Sequence, residues 1–269
     1  LFAWDSASDI LYSYEYLWVD NTRVQSAWSK WQVPNPVLSM IFIGTTAVLA
    51  TTSATGYNLI FGEIDLTREN TGSLDFEVHA DNLTTGTGAL DVPNPPAGAA
   101  YVAVQLAGTN AGQTISVTEV ASTATGKQYT ADGYSGEWAI GLPYTTTYRP
   151  TMPVIKDGQG VARAKSDLSV SKFLLRIADT GPFTMTRETP YEDVSDYWSD
   201  AWEGYRWDDP DFVLGSAPID SGEVEFTFEE NAATSNLLIE TSSPYPMNIT
   251  EIEWQGQVRG RSSRVNTGG

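Results

Sequence analysis

The feature that most constrains this chain is its rhythm. Short runs of β-branched and aromatic residues recur about every ten residues, and each is closed by a turn rich in Gly, Asn, Asp or Pro. The run from Ile10 to Val19 alternates in polarity, Asp20-Asn-Thr turns the chain, and Arg23 to Val33 runs back. Val37 to Ile43 and Ala47 to Thr52 form a second pair around Gly44, and Tyr57 to Leu66 follows the Thr55-Gly56 turn. A period of two with tight connections predicts antiparallel meanders, and repeated meanders are how propeller blades are built. The fold class expected is therefore all-β, with one or more propeller-like antiparallel blades in residues 1–80 that are incomplete at the N-terminus. The first residue is not Met and the opening segment already reads as strand, so the chain is expected to be cut from a longer one.

From Asn82 to Gln128 the composition shifts to Thr, Gly, Ala and Asn around Pro93, Pro95 and Pro96. Clean alternation in Tyr101 to Leu106 and Thr114 to Val120 nevertheless predicts a small inserted β subdomain over residues 81–130. Further strands are expected at Glu137 to Ile140, Lys172 to Ile177, Phe183 to Arg187, Glu223 to Phe228, Asn236 to Glu240 and Ile249 to Gln257, making a C-terminal β region of residues 131–269. Val161 to Asp179 tempts as a helix through Leu168, Leu174 and Leu175. Phe173, Leu175 and Ile177 fit a period of two, and strand is preferred.

Composition removes whole function classes. The chain has no Cys, which excludes disulfide scaffolds, thiolate zinc sites and cysteine nucleophiles. His79 is the one imidazole, so a metalloenzyme or Ser-His-Asp hydrolase would hang on it alone, and it reads as a surface residue near a strand end. Gly126-Lys127 lacks the upstream Gly and following Ser or Thr of a phosphate-cradling loop. No stretch approaches the roughly 18 unbroken apolar residues of a membrane helix, and no membrane insertion is expected. Neither a cofactor nor a metal is expected.

The formal charge of −19 argues against adhesion to nucleic acid, since that requires Lys and Arg facing phosphates. The acidity is uneven: residues 187–269 hold 5 basic and 17 acidic groups, and so −12 of the −19. Glu188 to Asp211 alone has nine carboxylates interleaved with Tyr191, Tyr197, Trp198, Trp202, Tyr205 and Trp207. Two readings stay open for that stretch. Carboxylates beside aromatic platforms suit a carbohydrate-binding or polysaccharide-cleaving protein; a long loop or edge hairpin with solvated acids is the plainer alternative. Asp208-Asp-Pro-Asp211 lacks the glycine turn and closing Glu of an EF-hand calcium loop.

The most distinctive segment runs from Ser243-Pro-Tyr-Pro246 through Glu253-Trp-Gln-Gly256 to Arg259-Gly-Arg-Ser-Ser-Arg264. Ala27-Trp-Ser-Lys-Trp31, Gly62-Glu-Ile-Asp-Leu66, Ile140-Gly-Leu-Pro-Tyr144 and Asp179-Thr-Gly-Pro-Phe183 precede it. In this order the motifs resemble the tail tubular protein B, or nozzle protein, family of short-tailed bacteriophages. The resemblance spans most of the chain, with only a vague match over residues 82–128.

It implies a non-enzymatic virion protein of the tail. Six copies would form a homo-oligomeric ring below the gatekeeper (tail tubular protein A) ring, enclose and gate the channel through which double-stranded DNA passes transiently, and help dock the tail fibres. Structural or interface roles are expected for Trp28, Trp31, Tyr144, Pro244, Tyr245, Pro246, Trp254, Arg259, Arg261 and Arg264. Trp28 and Trp31 are three apart and should point to opposite faces of a strand, one as a core anchor and the other toward a neighbouring blade or subunit. At least one of the three arginines should bridge to carboxylates rather than bind DNA, a free basic tail being the competing reading. Asn82-Leu-Thr84 and Asn248-Ile-Thr250 match glycosylation sequons by chance, since a bacterial virus would not use them.

Overall fold

Alternation in the sequence becomes alternation in burial. The computed structural model describes residues 1–19, 21–33, 35–44, 46–53, 56–63, 75–80, 90–93, 100–107, 112–122, 126–130, 137–156, 158–159, 161, 168–189, 197–206 and 218–258. These form strands, turns and bends with no helix among them. The chain divides into two compact units, Leu1–Glu69 and Asn70–Gly269.

The first unit holds two three-stranded antiparallel meanders. One is ordered β1 (Phe2–Trp4), β2 (Ile10–Val19), β3 (Thr22–Gln32); the other is ordered β4 (Val37–Ile43), β5 (Thr46–Ser53), β6 (Gly56–Glu63). The hairpin between β2 and β3 turns through Asn21, whose φ of 64° suits the left-handed conformation that Asn tolerates. Leu11, Val37, Ala47 and Leu49 form a core shared by both sheets, with Phe2, Trp4, Val33, Met40 and Ile60 at its margin. The sheets are three-stranded rather than four-stranded, and no closed propeller or barrel is formed among the described residues.

Trp28 and Trp31 do point to opposite faces, since Trp28 lies across from Tyr14 and Trp31 across from Leu11. The expectation that one of them anchors the core is corrected: Trp28 is 57 % exposed and Trp31 37 %. Trp28 lies on the face opposite Leu11, away from the core, and Trp31, on the Leu11 side of the edge strand β3, is covered from one side only. Leu11, on the central strand β2, is 1 % exposed and takes the anchoring place. Trp31 packs edge-on against Phe2, with ring centroids 5.5 Å apart.

The second unit begins with two small sheets. One is ordered β10 (Thr114–Ser116), β9 (Val102–Ala107), β13 (Glu137–Leu142), β7 (Asp75–Ala80); the other is ordered β11 (Thr118–Ser122), β12 (Gly126–Thr130), β8 (Leu90–Pro93). The described parts of the Thr- and Gly-rich stretch therefore fold largely as strands, and β9 and β10 share their sheet with segments from either side. Thr114 to Val120 is two strands in different sheets, with half-buried Val117 at the crossing. Tyr101, Ala103, Tyr129, Trp138 and Ile140 fill the core of this region.

A sandwich follows. Its four-stranded sheet runs β14 (Thr146–Tyr148), β19 (Asn236–Thr241), β16 (Phe183–Glu188), β17 (Ser199–Trp202), and its three-stranded sheet runs β18 (Asp220–Asn231), β15 (Leu168–Thr180), β20 (Ile249–Val258). The segment that tempted as helix is β15, because Leu168, Val170, Phe173, Leu175 and Ile177 all turn inward. The step from Val170 to Phe173 works through a bulge at Ser171 that shifts register against both neighbours. Phe226 and Phe228 on the neighbouring strand β18, and Leu237 and Ile239 of β19 in the other sheet, are fully buried with them, and Phe173 meets Phe228 edge-on at 5.1 Å. Burying one such phenylalanine is worth about 3 kcal/mol.

Candidate functional site

Three of the sequence motifs meet in one joint between the sandwich and the β9–β13 sheet. It begins where β15 ends. Asp179 sits in the left-handed region at φ 46° and is held there by neighbours: its amide donates to Ser221 Oγ (2.8 Å), and Asn248 Nδ2 reaches its carbonyl (3.5 Å). Thr180 Oγ1 accepts from the Asn248 amide (3.1 Å) and lies within donating range of the Ala178 (3.0 Å) and Asn248 (3.1 Å) carbonyls. The Gly181 amide donates to the Pro246 carbonyl (2.9 Å). Asn248, the sequon residue, is thus part of the joint.

Gly181 is required for contact rather than for conformation. A Cβ built on it would lie 2.3 Å from Tyr245 Cβ, closer than real carbons approach, so only glycine lets the Ser243-Pro-Tyr-Pro246 turn seat here. From the other side, Thr241 Oγ1 donates to the Pro182 carbonyl (2.7 Å) and accepts from the Ser243 amide (3.0 Å), while the Tyr245 amide reaches Ser243 Oγ (3.3 Å). The turn is pinned by short side-chain bonds, and prolines on both sides of Tyr245 narrow its backbone freedom.

Tyr245 is 4 % exposed and packs with Val104 of β9 and Ala139 of β13, with Val102, Leu106 and Ile219 alongside. Burial pushes its phenol up to about 12, and the hydroxyl has no hydrogen-bond partner among the described residues. Clefts of about 460 and 270 Å³ flank the turn. Tyr144, from the Ile140-Gly-Leu-Pro-Tyr motif, lines the smaller one beside Pro246 and is 41 % exposed. Pro244 is buried and Pro246 half-buried. Tyr245 and Pro246 therefore meet Gly181, with Pro244 in the same turn and Tyr144 lining the cleft beside them.

Trp254 stands apart, on the edge strand β20 opposite Phe173, and is 38 % exposed. The glycine two residues on has its own contact reason, since a Cβ on Gly256 would strike the Ser169 carbonyl oxygen at 2.3 Å. That close approach lies beside the Ser171 bulge, where Ser171 Oγ donates to the Gln255 carbonyl (2.9 Å). The outer face of this sheet carries a charge array that the sequence reading missed. Arg176 reaches Glu223 (3.0 Å), Glu251 (2.6 Å) and Glu253 (3.2 Å), and Lys172 reaches Glu225 (2.6 Å). Glutamates two apart on β18 and on β20, flanking a strand with a lone Arg, were the signal that could have found it. Elsewhere, Arg149 clamps Glu188 through two bonds of 2.9 Å and holds that carboxyl below its usual range.

Arg259, Arg261 and Arg264 lie outside the described residues, as do Tyr191, Trp207 and Asp208 to Asp211. His79 falls in β7 opposite Ala139. Of the acidic-aromatic stretch, Trp198 is exposed, whereas Trp202 packs against the sandwich core with Nε1 3.5 Å from the Thr180 carbonyl. No three side chains able to hold a metal gather among the described residues.

Meanders sharing a core, a sandwich, and a motif joint built of close packing and short hydrogen bonds define an all-β protein. The chain belongs to the bacteriophage nozzle protein family, whose model matches residues 1–265. It is a structural protein of the phage tail, and hence a virion component. Comparison with curated proteins gives no match.

Proposed function

We propose that this chain is a wall segment of the tail nozzle. Six copies form a ring below the gatekeeper ring, enclose and gate the DNA exit channel, and help dock the tail fibres. The observation that carries this reading is the motif joint: the residues that mark the family fasten the sandwich to the β9–β13 sheet through Gly181, Tyr245, Thr180 and Thr241. A conduit under the pressure of passing DNA needs stiff connections between its parts.

The charge suits the same task. A net −19 per copy, multiplied sixfold around a ring, repels phosphate and keeps DNA from adhering while it passes. Assembly then depends on apolar and Arg contacts, with carboxylates facing water or paired as around Arg176.

Electron microscopy of the purified chain tests the proposal. Six-fold rings with a central opening wide enough for duplex DNA are expected. A monomer that is retained on a polysaccharide column would overturn it in favour of a carbohydrate-binding protein.

A further inference from the structure

The two meanders of Leu1–Glu69 share one core, so each sheet has a second face turned away from it. On β2 and β3 that outer face carries Tyr12, Tyr14, Tyr16, Trp18 and Trp28, which register and alternation place on the side opposite Leu11. Trp18, Tyr16 and Trp28 are all more than half exposed, and Lys30 Nζ lies 5.8 Å from the Tyr12 ring centre. On the other meander, Ile41, Ile43, Tyr57, Leu59 and Phe61 surround Val48 and are 57–79 % exposed. Monomeric proteins rarely leave contiguous apolar patches of this kind in water.

We propose that these are the two halves of one contact between copies of this chain: the Tyr/Trp face of one copy stacks on the aliphatic face of the next. The proposal rests on the ring reading above and supplies its interface. The sheet-on-sheet packing that joins the meanders within a copy then continues from copy to copy, at the usual spacing of about 10 Å.

Three observations favour a second copy as the occupant. Counting roughly 150–250 Å² per fully buried aromatic side chain, the exposed parts of both faces sum to on the order of 1,000 Å², which reaches the size of a specific interface. The two faces differ, and a ring requires a heterologous contact in which one patch meets a different one. Pairing the Tyr/Trp face with itself would bring Lys30 of each copy toward the same small region, whereas Ile41, Ile43, Tyr57, Leu59 and Phe61 are uncharged and the next same-face position of β6 is Glu63, of opposite sign to Lys30. Trp28 and Trp18 are of the residue type that most often anchors such contacts.

The test uses two variants, Trp28→Glu on one face and Leu59→Lys on the other, each checked for unchanged far-UV circular dichroism and thermal midpoint. Mass photometry should show association weakened roughly 30-fold or more in either variant alone. Mixed in equal amounts, the two should form a one-to-one dimer through the intact pair of faces and stop there. Homodimers of a single variant would show that the surviving face pairs with itself, and would overturn the proposal. Rings that persist in both variants would overturn it while leaving the nozzle reading intact. Open chains of wild-type protein that both variants abolish would uphold the contact and defeat the closed ring. Shielding of Trp28 from acrylamide quenching in a monomer would assign the occupant to the same polypeptide and overturn a second copy.

Discussion

The two sheet pairs of this chain treat their outer faces in opposite ways. In the sandwich of β15, β16, β18, β19 and their neighbours, large apolar side chains turn inward and the outer face of β18–β15–β20 carries Arg176, Lys172 and four glutamates. In Leu1–Glu69 the inner face is closed around Leu11 and Leu49, yet the outer faces carry tryptophan, tyrosine, isoleucine and phenylalanine. A sheet pair finished with charge is complete when it meets water. One finished with apolar side chains on both sides is complete only when something covers it. The comparison teaches that stability and assembly are divided between the regions.

The sharpest way to break that division is to empty each region in turn. Phe226→Ala or Phe228→Ala should destabilise the sandwich by about 3–5 kcal/mol in chemical denaturation, as for a fully buried phenylalanine. Trp28→Ala should change the stability of the unassembled chain by about 1 kcal/mol, because more than half of the side chain is already in water and it loses chiefly its contact with Tyr14. Equal losses at both places would end the contrast.

Within the second unit, Gly181→Ala forces a carbon into Tyr245 and should cost about 1–3 kcal/mol through overpacking. Its signature is local: hydrogen exchange should quicken in β9 and β13 and in residues 243–248 before the sandwich core responds. Uniform exchange throughout would show that the joint is not a separate fastener.

Alkali probes the same tyrosine. With the folded phenol near 12 and the unfolded one near the usual value of about 10, the folded state keeps a proton that the unfolded state loses. Stability is therefore intact below pH 10 and falls as pH rises through 12. Tyr245→Phe should remove part of that fall, of order 1–3 kcal/mol, with further parts from Tyr101, whose phenol burial also raises to about 12, and from Tyr129, which burial also raises. Parallel alkaline profiles for wild type and variant would show that Tyr245 ionises freely.

The smallest effect is expected at the charged face. Arg176 is about half exposed and its ion pairs lie in water, so Arg176→Ala should lower stability least among these variants and the loss should shrink in high salt. A larger, salt-independent loss would mean that this face is covered, and would erase the difference between the two regions.

Much of this architecture is legible in the sequence for a simple reason. A period of two marks a strand with two unlike faces, so β2, β16 and β19 follow from alternation, β4 follows from its β-branched and apolar run, and β15 is a strand because Phe173, Leu175 and Ile177 share a side. What alternation does not record is whether a face is covered. Trp28 and Trp31 look like core residues by type, but Trp28 lies on the face turned away from Leu11 and Trp31 on an edge strand, and both are exposed. Contacts between distant segments are hidden for the same reason: nothing local in Asp179-Thr-Gly-Pro says that Gly181 will meet Tyr245. The motifs marked the joint without revealing that they belong to one place.

The central claim is that apolar faces hold copies of this acidic chain together while its net charge drives them apart. Ring population measured by mass photometry against sodium chloride tests it most directly. Screening shortens the reach of like-charge repulsion to about 8 Å at physiological ionic strength and strengthens apolar burial little, so rings should become more abundant as salt rises from low levels. Rings that fall apart as salt rises would show that complementary charge holds them, and would contradict the account.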